Sequence, residues 1–165
     1  MNMEVLPLDA DIKKQSLRQI TYGLYVLSAQ HEEAAGAGTV NWLSQASFNP
    51  PLIMVAAKAD SGLHSVIEKS GAFAVNFLSA DQKDMAEAFF RPTEVDGNKI
   101  NGHAFTAGST GSPVLDSVYA YVECKLSDKL ALGDHTVFVG EVVDAGHRRD
   151  DKPLEMWETS WFYGG

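Results

Sequence analysis

Ser61, His64 and Ser65 fall within five residues of one another, with Lys58 just upstream, in a stretch that reads as the first turn of a helix. Such a turn carries main-chain N–H groups with no partner inside the helix, and the helix dipole adds partial positive charge, so the cluster suits an anion. The plainer reading makes Ser61 a helix cap and His64 a solvated side chain. Asp134 and His135, in GDHTVFVGE, stand where a strand begins, and a loop there can aim an imidazole that titrates near neutrality into a cleft. The same pair also fits a strand-end histidine tied to its neighbouring aspartate. Trp42, Trp157, Trp161 and Tyr163 offer flat faces for stacking on a planar ligand, or for filling a core or an interface.

Other chemistries find no support. GAGTVN, residues 36–41, starts like a dinucleotide-binding turn, but Asn41 holds the third glycine position, the residues that follow suit a strand, and no βαβ spacing surrounds it. A glycine-rich hairpin turn is the better structural reading. No G-x-S-x-G elbow occurs, and the histidines at 31, 64, 103, 135 and 147 show no metal-binding spacing such as H-E-x-x-H. Arg148 and Arg149 sit beside Asp150 and Asp151, which reads as a solvated loop or, alternatively, as a phosphate contact.

These residues need a scaffold. The stretch from Asp9 offers Asp9 or Asp11 as the cap of a short helix with Ile12, Leu17 and Ile20 on one side. TYGLYVLSA reads as a buried strand, 38–48 as extended because of Thr39, Val40, Trp42 and Phe48, and the NPP at 49–51 as its end. LIMVAAK is the next strand. A helix follows, capped at Ser61, with Leu63, Val66 and Ile67 on one face and Gly71 ending it. AFAVNFL is a strand, and ADQKDMAEAFF a second helix capped by Asp81. Residues 91–113 read as a long loop region with one short strand around Phe105. From Val118 to Leu126 apolar and polar residues alternate, placing Val118, Ala120, Val122, Cys124 and Leu126 inward and Glu123 outward. HTVFVGEVVDA is a last long strand, with Gly140 where a barrel bends sharply. Six or so strands with two or three short helices, and long antiparallel-looking strands, predict a mainly β chain closing into a β-barrel.

With 165 residues, the chain is read as one domain spanning 1–165, and 45% hydrophobic against 21% charged residues is the balance of a folded globular protein. A net charge of −9 without a basic patch argues against nucleic acid. Cys124 is the only cysteine, so no internal disulfide forms, and no apolar run is long enough to span a membrane. MNMEVLPLDA lacks a basic region followed by an apolar one, so the expected location is the cytoplasm.

YGLYVLSA, GTVNWLSQASFNPPLIMVA, KADSGLHSVIEKSGAFAVNFL, GSPVL and GDHTVFVGEVVDA, in this order and spacing, resemble the flavin reductase-like FMN-binding split-barrel family over residues 18–145. That family includes ferric reductases, flavoredoxins and the flavin reductase modules of rubredoxin and flavodiiron systems. The resemblance implies a Greek-key split β-barrel that forms a homodimer, with one FMN per subunit and NADH or NADPH as reductant. It implies that Thr39, Val40, Asn41 and Trp42 run along the isoalloxazine edge, and that Ala46, Ser47 and Phe48 line the ring and ribityl chain. Lys58, Ser61, His64 and Ser65 would hold the phosphate. Lys99 matches a lysine near the cofactor, although Asn98 and Ile100 replace the usual Asp and Phe beside it. His135 would lie beside the flavin and the nicotinamide path as the catalytic residue. The implied activity is electron transfer from NAD(P)H to flavin and on to an acceptor. A second reading is an FMN-bound module that serves a separate rubredoxin or flavodiiron-type protein.

Overall fold

The computed structural model describes residues 6–165. Helix α1 spans Ala10–Leu17 and is capped by Asp9, whose carboxylate accepts from the N–H groups of Asp11 and Ile12. No residue of α1 is buried, and Ile12, Leu17 and Ile20 are exposed. Strands β1 (Tyr25–His31) and β2 (Ala34–Val40) form an antiparallel hairpin. Its turn lies at Glu32 and Glu33, with Glu32 at φ 51, and not in the glycine-rich stretch. Gly36 and Gly38 instead sit inside β2, and a Cβ on Gly36 would come within 2.8 Å of the Leu63 Cα. The missing side chain lets a helix settle directly on the strand.

Strands β3 (Leu43–Ser47) and β4 (Leu52–Lys58) follow, separated by the Asn49-Pro50-Pro51 turn with a cis Asn49–Pro50 bond. Helix α2, Gly62–Ser70, starts at Ser61, whose hydroxyl oxygen accepts from the His64 N–H, and stops at Gly71 with φ 65. Its buried residues are Leu63, Val66 and Ile67, spaced to face one way. After β5 (Ala72–Phe77) comes α3, Lys83–Ala88. Asp81 does not cap α3: its carboxylate accepts the Ser79 hydroxyl at 2.5 Å, and Gln82 holds the cap position with no side-chain cap bond.

The expected loop over 91–113 is largely a small second sheet. It is built of β6 (Val95–Asp96), β7 (Lys99–Ile100), β8 (His103–Ala107) and β9 (Pro113–Leu115). Asn101 organises its start, accepting from the Glu94 N–H at 2.7 Å and donating to the Ala88 carbonyl at 3.0 Å. The two longest strands, β10 (Ala120–Ala131) and β11 (His135–His147), pair along their whole length, and a 3-10 turn occupies Met156–Glu158.

The main sheet is antiparallel with seven strands in the order β2-β1-β5-β10-β11-β4-β3. Laid flat, six inter-strand gaps would separate its edges by about 29 Å. Yet β2 and β3 are joined through Asn41 and Trp42 alone, a link that reaches at most about 11 Å. The sheet therefore curls enough to bring the end of β2 and the start of β3 together, and the Trp42 carbonyl accepts from the Ala56 N–H at this seam. Consecutive residues serve opposite faces. Leu27 belongs to a cluster with Val55, Ile67, Phe73 and Phe138 inside the curl, and Val26 to a second with Leu78, Met85, Ile100 and Leu154 outside it.

One β10 residue departs from expectation. Glu123 is fully buried, not outward, because the loop after β8 covers that face: its carboxylate accepts from the N–H groups of Ser109 and Thr110, each at 2.9 Å, and from the Thr110 hydroxyl. At Gly140 a Cβ would meet Phe73 Cζ at 2.6 Å and Cys124 Cβ at 2.7 Å, so close core packing requires the glycine. Among the described residues, no helix is long and apolar enough to cross a membrane.

Candidate functional site

Five chain segments surround one cavity of about 910 Å³, which sits at the upper end of the roughly 300–1,000 Å³ that small-molecule sites occupy. Strand β2 contributes Thr39 and Val40 at its end, followed by Asn41. Strand β4 ends in Lys58, and α2 begins at Ser61 and Gly62. His135 comes from the start of β11, Phe89–Thr93 from the segment after α3, and Trp161–Tyr163 from the chain's last residues.

Six of the thirteen residues assigned to a flavin site from the sequence meet there, Thr39, Val40, Asn41, Lys58, Ser61 and His135, joined by Trp161 and Tyr163 of the aromatics noted for stacking. Thr39 is anchored, donating its hydroxyl to the Ala86 carbonyl at 2.7 Å. Asn41 is buried, and its Nδ2 donates to the Tyr163 carbonyl at 3.2 Å. The Ser61 oxygen takes the His64 N–H, so the N–H groups of Gly62 and Leu63, which have no partner within the helix, are the first-turn donors at the cavity wall. Lys58 Nζ lies 3.7 Å from Asp60 in an exposed pair that holds it only weakly.

The other seven lie outside the cavity wall. Trp42 stands just behind it, 4.6 Å from the His135 ring and 5.2 Å from that of Tyr163 between centroids. Its Nε1 is buried with no hydrogen-bond partner among the described residues. Ala46, Ser47 and Phe48 belong to β3 and the turn after it, with Phe48 92% exposed. Ser65 and Lys99 are exposed on α2 and β7. His64 is not the solvated side chain of the plainer reading, since its ring packs on Phe138, with Nε2 2.8 Å from the Thr136 hydroxyl and Nδ1 3.8 Å from Glu68.

His135 is held at both nitrogens. Nδ1 lies 2.8 Å from the Asp134 carboxylate and Nε2 2.7 Å from the Tyr163 hydroxyl. The hydrogen bond from His135, together with the charge of that ring, holds the Asp134 carboxyl below the usual carboxylate range. Burial pushes the Tyr163 phenol above its ordinary value, so it keeps its proton and serves as a donor.

Among the described residues, the wall contains two cations, Lys58 and Arg91, and no Asp or Glu. In a chain of net charge −9, that local excess of positive charge selects for an anionic ligand. Arg91 escaped the sequence reading; its guanidinium donates to the Asn101 carbonyl at 3.5 Å, and its charge adds to burial in lowering the basicity of His103. Among the described residues no group of three or more His, Cys, Asp or Glu is placed to hold a metal ion. The wall combines apolar and aromatic sides, main-chain donors at a helix start and two cations, with the Asp60 carboxylate beside Lys58 and that of Asp134 beside His135.

Residues 17–164 match the flavin reductase like domain, and the chain belongs to that family. It is 32% identical to the FMN reductase (NADH) SmoA of Agrobacterium fabrum over 141 residues, covering 86% of this chain and 78% of that one. Diflavin flavoprotein A 1 of Synechocystis is 31% identical over 138 residues, and there the match covers 83% of this chain but about a quarter of the relative's length. Among solved structures, the styrene monooxygenase flavin reductase of Pseudomonas putida S12 superposes with a TM-score of 0.73 at 30% identity, covering 88% of this chain and 92% of that one.

Proposed function

We propose that this chain is an NAD(P)H-dependent flavin oxidoreductase that binds FMN in the cavity between β2, the start of α2 and His135. The observation that carries this reading is the convergence of Lys58, Ser61, Arg91 and His135 on one cavity wall. Family membership supports it, as do relatives named for NADH-dependent flavin reduction. The N–H groups of Gly62 and Leu63, with Lys58, would hold the phosphate, and Thr39–Asn41 would lie along the ring edge. Bound flavin supplies the hydride acceptor. The protein's part is to fix the ring against β2, to stabilise negative charge with Lys58 and Arg91, and to keep water out with Trp161 and Phe162. His135 shapes the place where the nicotinamide lies.

The curled sheet with its seam at Asn41–Trp42 is, in this reading, the split barrel that the sequence resemblance implies. A homodimer is part of the proposal. Phe48, Met54 and Val143 are exposed on the turn after β3 and on the neighbouring strands β4 and β11, and a second copy covering them would bring Ala46, Ser47 and Phe48 against bound flavin. The proposed location is the cytoplasm.

A second reading has a specific observation behind it: the chain spans about a quarter of the diflavin flavoproteins it matches. In that reading the FMN passes electrons to a separate redox protein and turns over little free flavin. Anaerobic mixing of FMN-loaded protein with NADH or NADPH tests the proposal. Rapid loss of flavin absorbance near 450 nm is expected with at least one nucleotide, and no bleaching with either would reject it. Catalytic reduction of added free flavin separates the reductase from the electron-transfer module.

A further inference from the structure

The cavity already contains an aromatic ring of the protein's own. Tyr163 lies in its wall with the hydroxyl on His135 Nε2, its carbonyl accepting from Asn41 Nδ2, and its ring against Trp42. These three residues are the polar and stacking groups that the seam of the sheet offers to a flat ligand. Neighbouring attachments are of the same kind. The Phe162 ring lies under the Arg18 guanidinium at 4.9 Å, and Arg18 Nε donates to the Gly164 carbonyl at 3.3 Å.

What holds the segment is side-chain contact. The last main-chain pairing before it is the Thr159 N–H to the Met156 carbonyl, and Trp161 donates its N–H to the Thr159 hydroxyl. Residues 161–165 belong to no strand or helix. A smaller cavity of about 160 Å³ lies along Trp161–Tyr163, reaching Arg18, Tyr22 and Trp157. The segment therefore runs between two spaces, and the second is room into which it can move.

We infer that Tyr163 is a displaceable stopper occupying the nicotinamide position, so that NAD(P)H binds by pushing the Tyr163 ring out of contact with Trp42 and His135. The inference rests on the reductase reading and adds to it a competitor built into the chain. Ligand affinity is divided by the fraction of protein in which the position is open. The hydrogen bonds from Tyr163 to His135 and from Asn41 to Tyr163 keep that fraction low. Tyr163→Phe removes the first bond and keeps the ring; deletion of residues 163–165 removes both bonds and leaves Trp161 and Phe162 in place.

Steady-state kinetics with NADH and, separately, NADPH test this in wild type, Tyr163→Phe and the 163–165 deletion, with FMN affinity measured alongside by flavin fluorescence. The expected result is a KM for the nucleotide lowered about 3-fold by Tyr163→Phe and about tenfold by the deletion, with no fall in kcat. FMN affinity should change by less than about 2-fold, which a general loss of structure would not produce. An unchanged or raised KM in the deletion, with wild type active, overturns the stopper and leaves the reductase reading standing. If wild type and both variants reduce no flavin with either nucleotide, the reductase reading fails and the stopper with it. Activity in the deletion alone supports both.

Discussion

The Tyr163 hydroxyl lies 2.7 Å from His135 Nε2, joining the third-last residue of the chain to the start of β11. Asp134 on the other ring nitrogen completes a line of three groups that fixes the imidazole plane beside the cavity. Asp134 aims the ring from within its own loop, and Tyr163 reaches the other nitrogen from across the cavity.

His135→Ala removes that ring and leaves the helix start and both cations in place. NAD(P)H-dependent reduction of bound flavin should slow by about 10- to 100-fold at saturating nucleotide, while FMN remains bound. Stopped-flow absorbance with the FMN-loaded variant checks this, and unchanged reduction kinetics would remove His135 from the account.

Ser61→Ala costs α2 its cap, because the Ser61 oxygen is the acceptor for the His64 N–H at 3.1 Å. The loss should be about 1 kcal/mol, measured by urea unfolding without FMN. FMN affinity should fall as well, since the donors of Gly62 and Leu63 are oriented by the same turn.

Gly140→Ala forces a methyl group to within 2.6 Å of Phe73 Cζ and 2.7 Å of Cys124 Cβ, in a fully buried part of the curl. Destabilisation of about 1–3 kcal/mol is expected from overpacking. Gly62→Ala is the control: its Cβ meets nothing within 4 Å, and the thermal midpoint should hardly move.

Cys124 provides a pH test of the core. Burial, with the charge of Glu123 adding to it, pushes its thiol from 9.0 up to about 12. A raised folded value means that folding favours the protonated thiol. The contribution is fully present below pH 9, where the unfolded thiol begins to ionise, and is lost as pH rises through about 12. The difference between wild-type and Cys124→Ala unfolding curves isolates it, and should shrink across that window. A thiol reagent at pH 8 should label Cys124 only under unfolding conditions.

Features written in local chemistry were legible in the sequence. Ser61 and Gly71 bracket α2 because caps and left-handed stops are decided by one residue each, and Leu63, Val66 and Ile67 are buried together as their spacing predicts. Features that depend on distant neighbours were not. Gly36 reads as a turn residue until Leu63 is known to press on it, and Glu123 reads as solvent-facing until the Ser109–Thr110 loop is seen to cover it. Strands of two residues, such as β6 and β7, are too short to show any period. At the site, Lys58, Ser61 and His135 were identifiable by type and Thr39–Asn41 through the family resemblance, and they line one cavity. Arg91 was not assigned to it, and Tyr163 was read only as one of several aromatics, because only the folded chain brings the segment after α3 and residues 161–163 to the same wall.

The central claim is that this wall holds a flavin by its phosphate, and titration of the protein with FMN and with riboflavin tests it most directly. One FMN should bind per chain, at least about tenfold more tightly than riboflavin. In the Lys58→Ala/Arg91→Ala double variant that preference should collapse while riboflavin binding stays the same. Equal affinity for the two flavins in wild type, or no binding of either, would contradict the account.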